Sequence, residues 1–169
     1  WSWLYDNNFG ILNYYIRKLR RNGVPWLTHE NLALISVAVV VIWTYLGYNM
    51  VLFLAGLQGI PRDLYEAAEM DGATKIQIFF KITCPMLKPV ASMVITLTLV
   101  NTVQLFDQIY TMTGGGPGTS TLTMVQYLYT TAFQNYDLGY GSAIEVAILI
   151  ILVLLIGIQN KLLKNKEVE

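Results

Sequence analysis

The longest apolar stretches of this chain are two runs that are almost free of charge. Residues 33–57 (ALISVAVVVIWTYLGYNMVLFLAGL) hold no charged side chain, and residues 139–158 (GYGSAIEVAILIILVLLIGI) hold only one, Glu145. A helix of roughly 20 apolar residues crosses the hydrocarbon core of a bilayer. The pattern therefore predicts one transmembrane helix over residues 33–57 and another over residues 139–160.

A third run, residues 89–110 (PVASMVITLTLVNTVQLFDQIY), is apolar only in its first half. The second half carries polar side chains, which membrane helices tolerate where they face protein or water. These polar residues are Asn101, Gln104, Asp107 and Gln108. We expect a transmembrane helix over residues 89–110 as well. The predicted fold is an all-α polytopic membrane protein with three spans.

The distribution of basic residues predicts the orientation of these spans. Three spans put the segments 58–88 and 161–169 on one side, where they carry seven of the Lys and Arg residues. The segments 1–32 and 111–138 lie on the other side and carry four, all within the cluster IRKLRR at residues 16–21. Basic residues favour the cytoplasm. We therefore expect 58–88 to be a cytoplasmic loop, 161–169 a cytoplasmic tail, 1–32 an external interfacial segment and 111–138 an external loop and helix.

Composition excludes several classes of function. The chain has 54% hydrophobic and 13% charged residues and a net charge of zero, so nothing indicates binding to nucleic acid. Cys84 and His29 are the only residues of their kinds, which excludes an internal disulfide and disfavours a metal site with several ligands. Catalytic Ser/His/Asp or Cys/His sets are absent from the pattern, so we predict no cofactor, no metal and no enzyme activity. Because the chain begins at Trp1, we expect a fragment or a processed chain.

The charged segment 58–88 predicts two short helices joined by a sharp turn. Pro61 suits the first position of a helix, and Asp63 suits a first turn, where the helix dipole favours acids. Gly72 is expected to end this helix by adopting a positive φ, with Asp71 capping the next one. The second helix is predicted over roughly 73–82, with Pro85 ending the element.

Two interpretations of this segment remain open from the residues alone. Ala67 and Ala68 form a small-residue face that another protein can approach closely, and Glu66 offers a target for an arginine of that partner. Alternatively, Glu66 pairs with Arg62 four residues earlier, and the segment is an ordinary connector.

The run EAAEMDGATKIQIFFKITCPMLKP resembles the "EAA" signature of ABC importer permeases. The matching positions are Glu66, Ala67, Ala68, Gly72, Ile82 and Pro85, while Cys84 stands where leucine is usual. Three further stretches resemble the carbohydrate branch, which contains the maltose-type and multiple-sugar-type permeases. They are FLAGLQGIPRDLYEAA, FDQIYTMTGGGPGTSTLTMVQYLYTTAF and DLGYGSAIEVAIL.

This resemblance implies a role and a set of partners. The chain would be the C-terminal half of a non-catalytic permease subunit in a bacterial or archaeal plasma membrane. The segment 58–88 would be its coupling loop, in which Glu66, Ala67, Ala68, Asp71 and Gly72 meet an ATP-hydrolysing subunit. The partners would be a second permease, an ABC ATPase dimer, an extracytoplasmic solute-binding protein and a sugar. A non-transport membrane anchor or regulatory subunit that recruits a cytoplasmic protein is the alternative function.

The glycine-rich stretch TGGGPGTST (113–121) lacks the lysine that a nucleotide-binding phosphate loop requires. It is either a flexible turn or, by the resemblance, an external loop that lies near the docked binding protein. In that second case Gly114, Gly115, Gly116 and Pro117 determine its shape.

The polar residues of the third span have two possible roles. On a continuous helix Asn101, Gln104 and Gln108 lie within about 60° of each other, joined less closely by Asp107. This stripe either lines a sugar pathway, with Phe106 and Tyr110 as rings for sugar faces, or makes hydrogen bonds between helices.

Overall fold

A computed structural model describes residues 1–19 and 22–164, and the regular secondary structure of these residues is entirely helical, with no β-strand. The helices are α1 (Ile11–Lys18), α2 (Glu30–Gln58), α3 (Arg62–Met70), α4 (Lys75–Ile78), α5 (Cys84–Met86), α6 (Lys88–Val103), α7 (Asp107–Met112), α8 (Met124–Tyr129) and α9 (Leu138–Lys164). Single π-helical turns occupy Phe79–Thr83 and Thr130–Gln134. The all-α prediction is confirmed. Arg20, Arg21 and residues 165–169 of the predicted tail lie outside the described residues.

Among the described residues, two helices are long and apolar enough to cross a membrane. Helix α2 contains the whole run 33–57, and α9 contains the whole run 139–158. A third span exists only if Lys75–Met86 and α6 are taken together, and these two stretches are bent by 60° relative to each other. By itself α6 has 16 residues, which at 1.5 Å per residue extend over about 24 Å, less than the roughly 30 Å hydrocarbon core.

The prediction of one helix over residues 89–110 is wrong. Helix α6 ends at Val103, residues 104–106 are not helical, and α7 begins at Asp107. The reason is tertiary packing, because Ile109 and Met112 of α7 are 1% and 9% exposed.

The described residues form two compact units, the first of which comprises Trp1–Thr44 and Asn101–Leu154. Its core joins Ile109 and Met112 to Tyr5, Val37 and Val40. Tertiary contacts of this core therefore hold α7 against the first half of α2 and the N-terminal segment.

Asn13 organises the N-terminal segment of the first unit. Its side chain is 1% exposed, and its amide donates to the carbonyls of Asp6, Asn7 and Val24. Its oxygen accepts from the Val24 N–H at 2.8 Å and from the Trp26 indole at 3.2 Å. The polar atoms of this buried amide are thereby satisfied, as burial requires. On the exposed side of α1 lie Tyr14, Tyr15 and Leu19.

The second unit comprises Tyr45–Val100 and the described residues from Leu155 onward. Polar side chains tie α6 to its neighbours within this unit. Asn49 of α2 donates to Thr98 at 3.3 Å, and Gln159 of α9 donates to Thr96 at 2.7 Å and to the Ser92 carbonyl at 3.2 Å.

Gly56 lets α2 and α6 approach closely. A Cβ added at Gly56 would lie 2.8 Å from a methyl carbon of Val90 and 3.1 Å from a methyl carbon of Leu87. By contrast, a Cβ at Gly47 of the same helix would meet nothing within 4 Å.

We expect Gly56→Ala to be less stable than Gly47→Ala by about 1–3 kcal/mol, the usual range for overpacking. Alanine favours a helix by about 1 kcal/mol over glycine at both positions, so the difference isolates the contact with Val90 and Leu87. Thermal unfolding of the full-length protein in detergent measures it. Equal stability of the two variants would contradict the close approach.

Candidate functional site

We call the turn between α3 and α4, together with its two flanking arms Arg62–Met70 and Lys75–Met86, the elbow. The elbow forms from a short sequence with strong local signals. Helix α3 starts at Arg62, and Pro61 precedes it with φ −57° and ψ 134°. The proline therefore lies one position before the predicted one, where its extended backbone leads into the helix. Asp63 stands in the first turn, where the helix dipole favours a carboxylate.

Gly72 makes the turn that ends α3. Its φ is +74°, its N–H donates to the Glu69 carbonyl, and the Ala73 N–H donates to the Ala68 carbonyl, both at 3.0 Å. This pair of bonds with a left-handed residue between them is the Schellman motif. A Cβ at Gly72 would meet nothing within 4 Å, so glycine is required by the backbone conformation and not by lack of space.

Thr74, and not Asp71, caps the next helix. The Thr74 hydroxyl accepts from the Gln77 N–H at 3.4 Å, and the Gln77 side chain accepts from the Thr74 N–H at 2.8 Å. This reciprocal arrangement is a capping box. The expectation that Asp71 caps this helix is wrong, because Asp71 is the last residue of the preceding turn.

The second helix is longer than predicted. Helix α4 continues through the π turn Phe79–Thr83 into α5, so the helical arm extends past residue 82 and Pro85 lies inside it. A π turn shifts the hydrogen-bond pattern by one residue, and a proline at the start of the following α segment then leaves few backbone bonds unmade. Ile78 and Thr83 are the buried residues of the arm.

The structure leaves most of the predicted coupling residues open to a partner. Glu66, Ala67, Asp71 and Gly72 are exposed and Ala68 is half-buried. Within the part of the chain that the structure describes, no ion pair between Glu66 and Arg62 is present. The alternative that these two side chains neutralise each other therefore has no support.

A groove of about 370 Å³ lies on the inner side of the elbow. Its lining residues are Ala68, Asp71, Gly72, Ala73, Gln77, Ile78, Lys81 and Ile82. Three of the five predicted coupling residues thus share one concave surface, whereas Glu66 and Ala67 lie outside it. The sequence missed Gln77 and Lys81, although the capping box around Gln77 is a signal that the residues contained.

Side-chain hydrogen bonds brace the glycine-rich loop. Gly114 and Gly115 have φ values of +59° and +95°, and Thr121 is 2% exposed. The Thr121 hydroxyl lies 2.8 Å from the Thr113 hydroxyl and donates to the Gly116 carbonyl at 2.7 Å. The alternative of a flexible turn is therefore unsupported, and the two threonines are the residues that the sequence interpretation missed.

The polar stripe does not form on one helix. Asn101 belongs to the last turn of α6, Gln104 to the break that follows, and Asp107 and Gln108 to the first turn of α7. The wheel angle predicted for them therefore does not apply. Among the described residues, the side chains of Asn101, Gln104 and Gln108 have no hydrogen-bond partner, so the described contacts give no support to the alternative of hydrogen bonds between helices.

Aromatic rings pack beside these polar residues. Phe106 stacks on Tyr110 at 5.2 Å between ring centroids, and Tyr129 lies 5.0 Å from Phe106. Phe133 extends the cluster, 5.6 Å from Tyr129. A hydrogen bond with Tyr110 raises the pKa of the Tyr129 hydroxyl. Phe106 and Tyr110 thus contact other aromatic rings of the same chain. The sequence did not predict that Tyr129 and Phe133 belong to this cluster.

Residues 8–166 match the family model described as "Binding-protein-dependent transport system inner membrane component". The chain belongs to this family. It is accordingly a membrane protein, and the relatives described below are named as permease proteins of transport systems. Among the described residues, no group of three or more His, Cys, Asp or Glu side chains is placed to hold a metal ion.

Two relatives illustrate the range of this transport family. The chain is 37% identical over 166 residues to the sulfoquinovosyl glycerol transport system permease protein SmoG of Agrobacterium fabrum, which covers 98% of the chain and 54% of SmoG. It is 38% identical over 146 residues to the trehalose/maltose transport system permease protein MalF of Thermococcus litoralis, covering 86% of the chain and 49% of that protein. The chain therefore spans about half the length of these relatives.

A solved structure shares the fold. The chain superposes with a TM-score of 0.83 and 21% identity on a chain of a bacterial alginate ABC transporter in complex with an alginate pentasaccharide-bound periplasmic protein. The superposition covers 95% of this chain and 56% of that one.

We expect Gly72→Ala to destabilise the elbow by about 1–2 kcal/mol, because a Cβ opposes the left-handed conformation. Gly72→Asn should cost less, since asparagine tolerates this region better. Limited proteolysis of the full-length protein within residues 66–76 measures local opening. Cleavage of Gly72→Ala no faster than that of wild type and Gly72→Asn would show that the positive φ is not needed.

Proposed function

We propose that this chain forms part of the permease subunit of an ABC importer for carbohydrates in a bacterial or archaeal plasma membrane. The exposed elbow carries the proposal, because the Glu66 side chain beside the Gly72 turn has no ion-pair partner among the described residues and is open to a partner protein. The family of the chain and the sugar-transport names of SmoG and MalF support it.

The proposed topology follows the basic residues and the long helices. Residues 33–57, 89–110 and 139–160 belong to membrane-crossing segments, the second of them broken after Val103. Residues 58–88 and 161–169 face the cytoplasm, and residues 1–32 and 111–138 face the outside. The exposed Tyr14 and Tyr15 of α1 fit the external interface of the membrane, where amphipathic rings are favoured, and the exposed Leu19 follows directly after α1.

Coupling is proposed to occur by docking of the elbow on one subunit of an ABC ATPase dimer. The Glu66 side chain has no ion-pair partner among the described residues, so an arginine of the ATPase gains a charge-assisted hydrogen bond without displacing another one. The small side chains of Ala67 and Ala68 let the partner approach the helix backbone closely. Asp71 and Gly72 form the tip of the elbow, which inserts into the partner. ATP hydrolysis takes place on that separate subunit, and the permease itself is non-catalytic.

The outer loop is proposed to face an extracytoplasmic solute-binding protein. Gly114, Gly115, Gly116 and Pro117 form a surface that the Thr113–Thr121 hydrogen bond holds in one shape. A braced loop loses little conformational entropy when a partner docks. The presence of a periplasmic protein in the complex of the structural relative agrees with this role.

A second permease and this chain together are proposed to enclose the solute pathway. Asn101, Gln104, Asp107 and Gln108 lie around the break between α6 and α7, and the three amides have unused donors and acceptors. Neutral sugars present many hydroxyl groups, which amides bind in both directions. The substrate class is therefore carbohydrate.

Glu66→Gln should lower solute uptake at least tenfold, since removing one member of a desolvated charge pair at an interface typically costs about 2–5 kcal/mol. The matched control is Glu69→Gln, which removes another exposed carboxylate of the same helix and should leave uptake near wild type. Uptake and ATP hydrolysis are measured in proteoliposomes containing the complete transporter.

Equal uptake by the two variants would contradict the coupling role of Glu66. Wild-type uptake in Glu66→Gln together with loss of ATPase co-purification would favour the alternative of an anchor that recruits a cytoplasmic protein.

Asn101→Leu and Gln104→Leu should raise the solute concentration needed for half-maximal uptake several-fold, because buried sugar hydroxyls lose hydrogen bonds worth about 1 kcal/mol each. Asn160→Leu removes an exposed amide of α9 and serves as the control. Expression and membrane insertion are followed by immunoblotting of membranes. Normal uptake in both pathway variants at normal expression would remove these residues from the pathway.

A further inference from the structure

We propose that the hydrogen bond between Tyr65 and Thr83 is a strut that makes the elbow rigid, and that both are positioning residues for energy coupling. The proposal rests on the proposed function and names the part of the site that transmits motion. The Tyr65 hydroxyl and the Thr83 hydroxyl are 3.1 Å apart, although the residues are separated by 18 positions in the chain.

The strut joins the two arms of the elbow away from the turn. Tyr65 lies on α3 immediately before Glu66, and Thr83 ends the π turn of the second arm. Thr83 is 7% exposed and Tyr65 is half-buried. Tyr65 precedes Gly72 by seven positions, which corresponds to about 10 Å at the helical rise of 1.5 Å per residue.

The turn by itself leaves the angle between the arms weakly determined. The Schellman bonds and the capping box at Thr74 are each local to one arm. Rotation about φ and ψ of Ala73 therefore breaks neither set. A contact about 10 Å from Gly72 opposes that rotation effectively, because a small change of angle at the turn displaces it by a large distance. Among the described residues, only the Tyr65–Thr83 pair supplies a side-chain hydrogen bond between the arms.

Thr83 is also where the second arm joins the membrane helices. Its carbonyl accepts from the Leu87 N–H at 3.0 Å, next to the start of α6. Within the same unit, α6 is tied to α9 through Gln159 and to α2 through Asn49. A displacement imposed at Glu66 thus passes through Tyr65 to Thr83 and on to α6, without depending on the stiffness of the glycine turn.

The test uses variants that remove or keep single hydroxyl groups. Tyr65→Phe and Thr83→Val remove one hydroxyl each with little change in volume, and Thr83→Ser keeps the hydroxyl. Tyr45→Phe, on α2 of the same unit, is the matched control, because no hydrogen bond of its hydroxyl is present among the described residues. The full-length permease is assembled with its partners in proteoliposomes, and the ATP hydrolysed per solute imported is measured.

We expect Tyr65→Phe and Thr83→Val to raise this ratio roughly threefold or more, the scale of one hydrogen bond. Thr83→Ser and Tyr45→Phe should keep the wild-type ratio, and the double variant Tyr65→Phe/Thr83→Val should be no worse than either single one. A wild-type ratio in both single variants, or additive effects in the double variant, overturns the proposal.

A second measurement does not depend on transport. Spin labels at positions 70 and 79 of a Cys84→Ser background report the angle between the arms as a distance distribution in the purified full-length permease. The distribution should broaden in Tyr65→Phe and Thr83→Val and not in Thr83→Ser, and an unchanged width overturns the strut. If the width changes while Glu66→Gln leaves uptake intact, the strut stands and the proposed coupling function fails.

Discussion

The left-handed backbone of Gly72 is the constraint on which the proposed coupling site depends. It reverses the chain within one residue, so that α3 and the arm from α4 to α5 lie on two sides of one groove. Glycine takes this conformation without the steric cost that other residues carry. The backbone at this turn does not by itself fix the angle between the two arms. The hydrogen bond between Tyr65 and Thr83 therefore matters for the proposed coupling mechanism.

Polar groups do different work in the two units. In the second unit Asn49 and Gln159 hold α6 between its neighbours, as the proposed transmission of motion through α6 requires. In the first unit the unpaired amides of Asn101, Gln104 and Gln108 gather around a break in the helical chain. Broken helices expose backbone and side-chain groups only where protein or water receives them, so this break is a suitable place for a polar solute. The two arrangements divide the chain into a part suited to transmission and a part suited to recognition.

Local sequence signals predicted the elbow better than they predicted the pathway. The Gly72 turn and the approximate start of α3 depend on neighbouring residues only, so reading residues 61–74 was enough to find them. The prediction of Asp71 as the cap of α4 is wrong, although the Thr74–Gln77 capping box is an equally local signal. The hydrogen bond between Tyr65 and Thr83 could not be predicted, because no local sequence pattern relates residues that are 18 positions apart.

The sequence by itself determined the all-helical class, the two long apolar helices and the family, because hydrophobic run length and short motifs are properties of neighbouring residues. Tertiary structure alone decided that α6 ends at Val103, since burial of Ile109 and Met112 against Tyr5, Val37 and Val40 outweighs the tendency of a helix to continue. It also decided the bracing of the glycine loop by Thr121 and the tie between Tyr65 and Thr83. These contacts join residues that lie apart in the chain, and their free energy exists only once the backbone has brought them together.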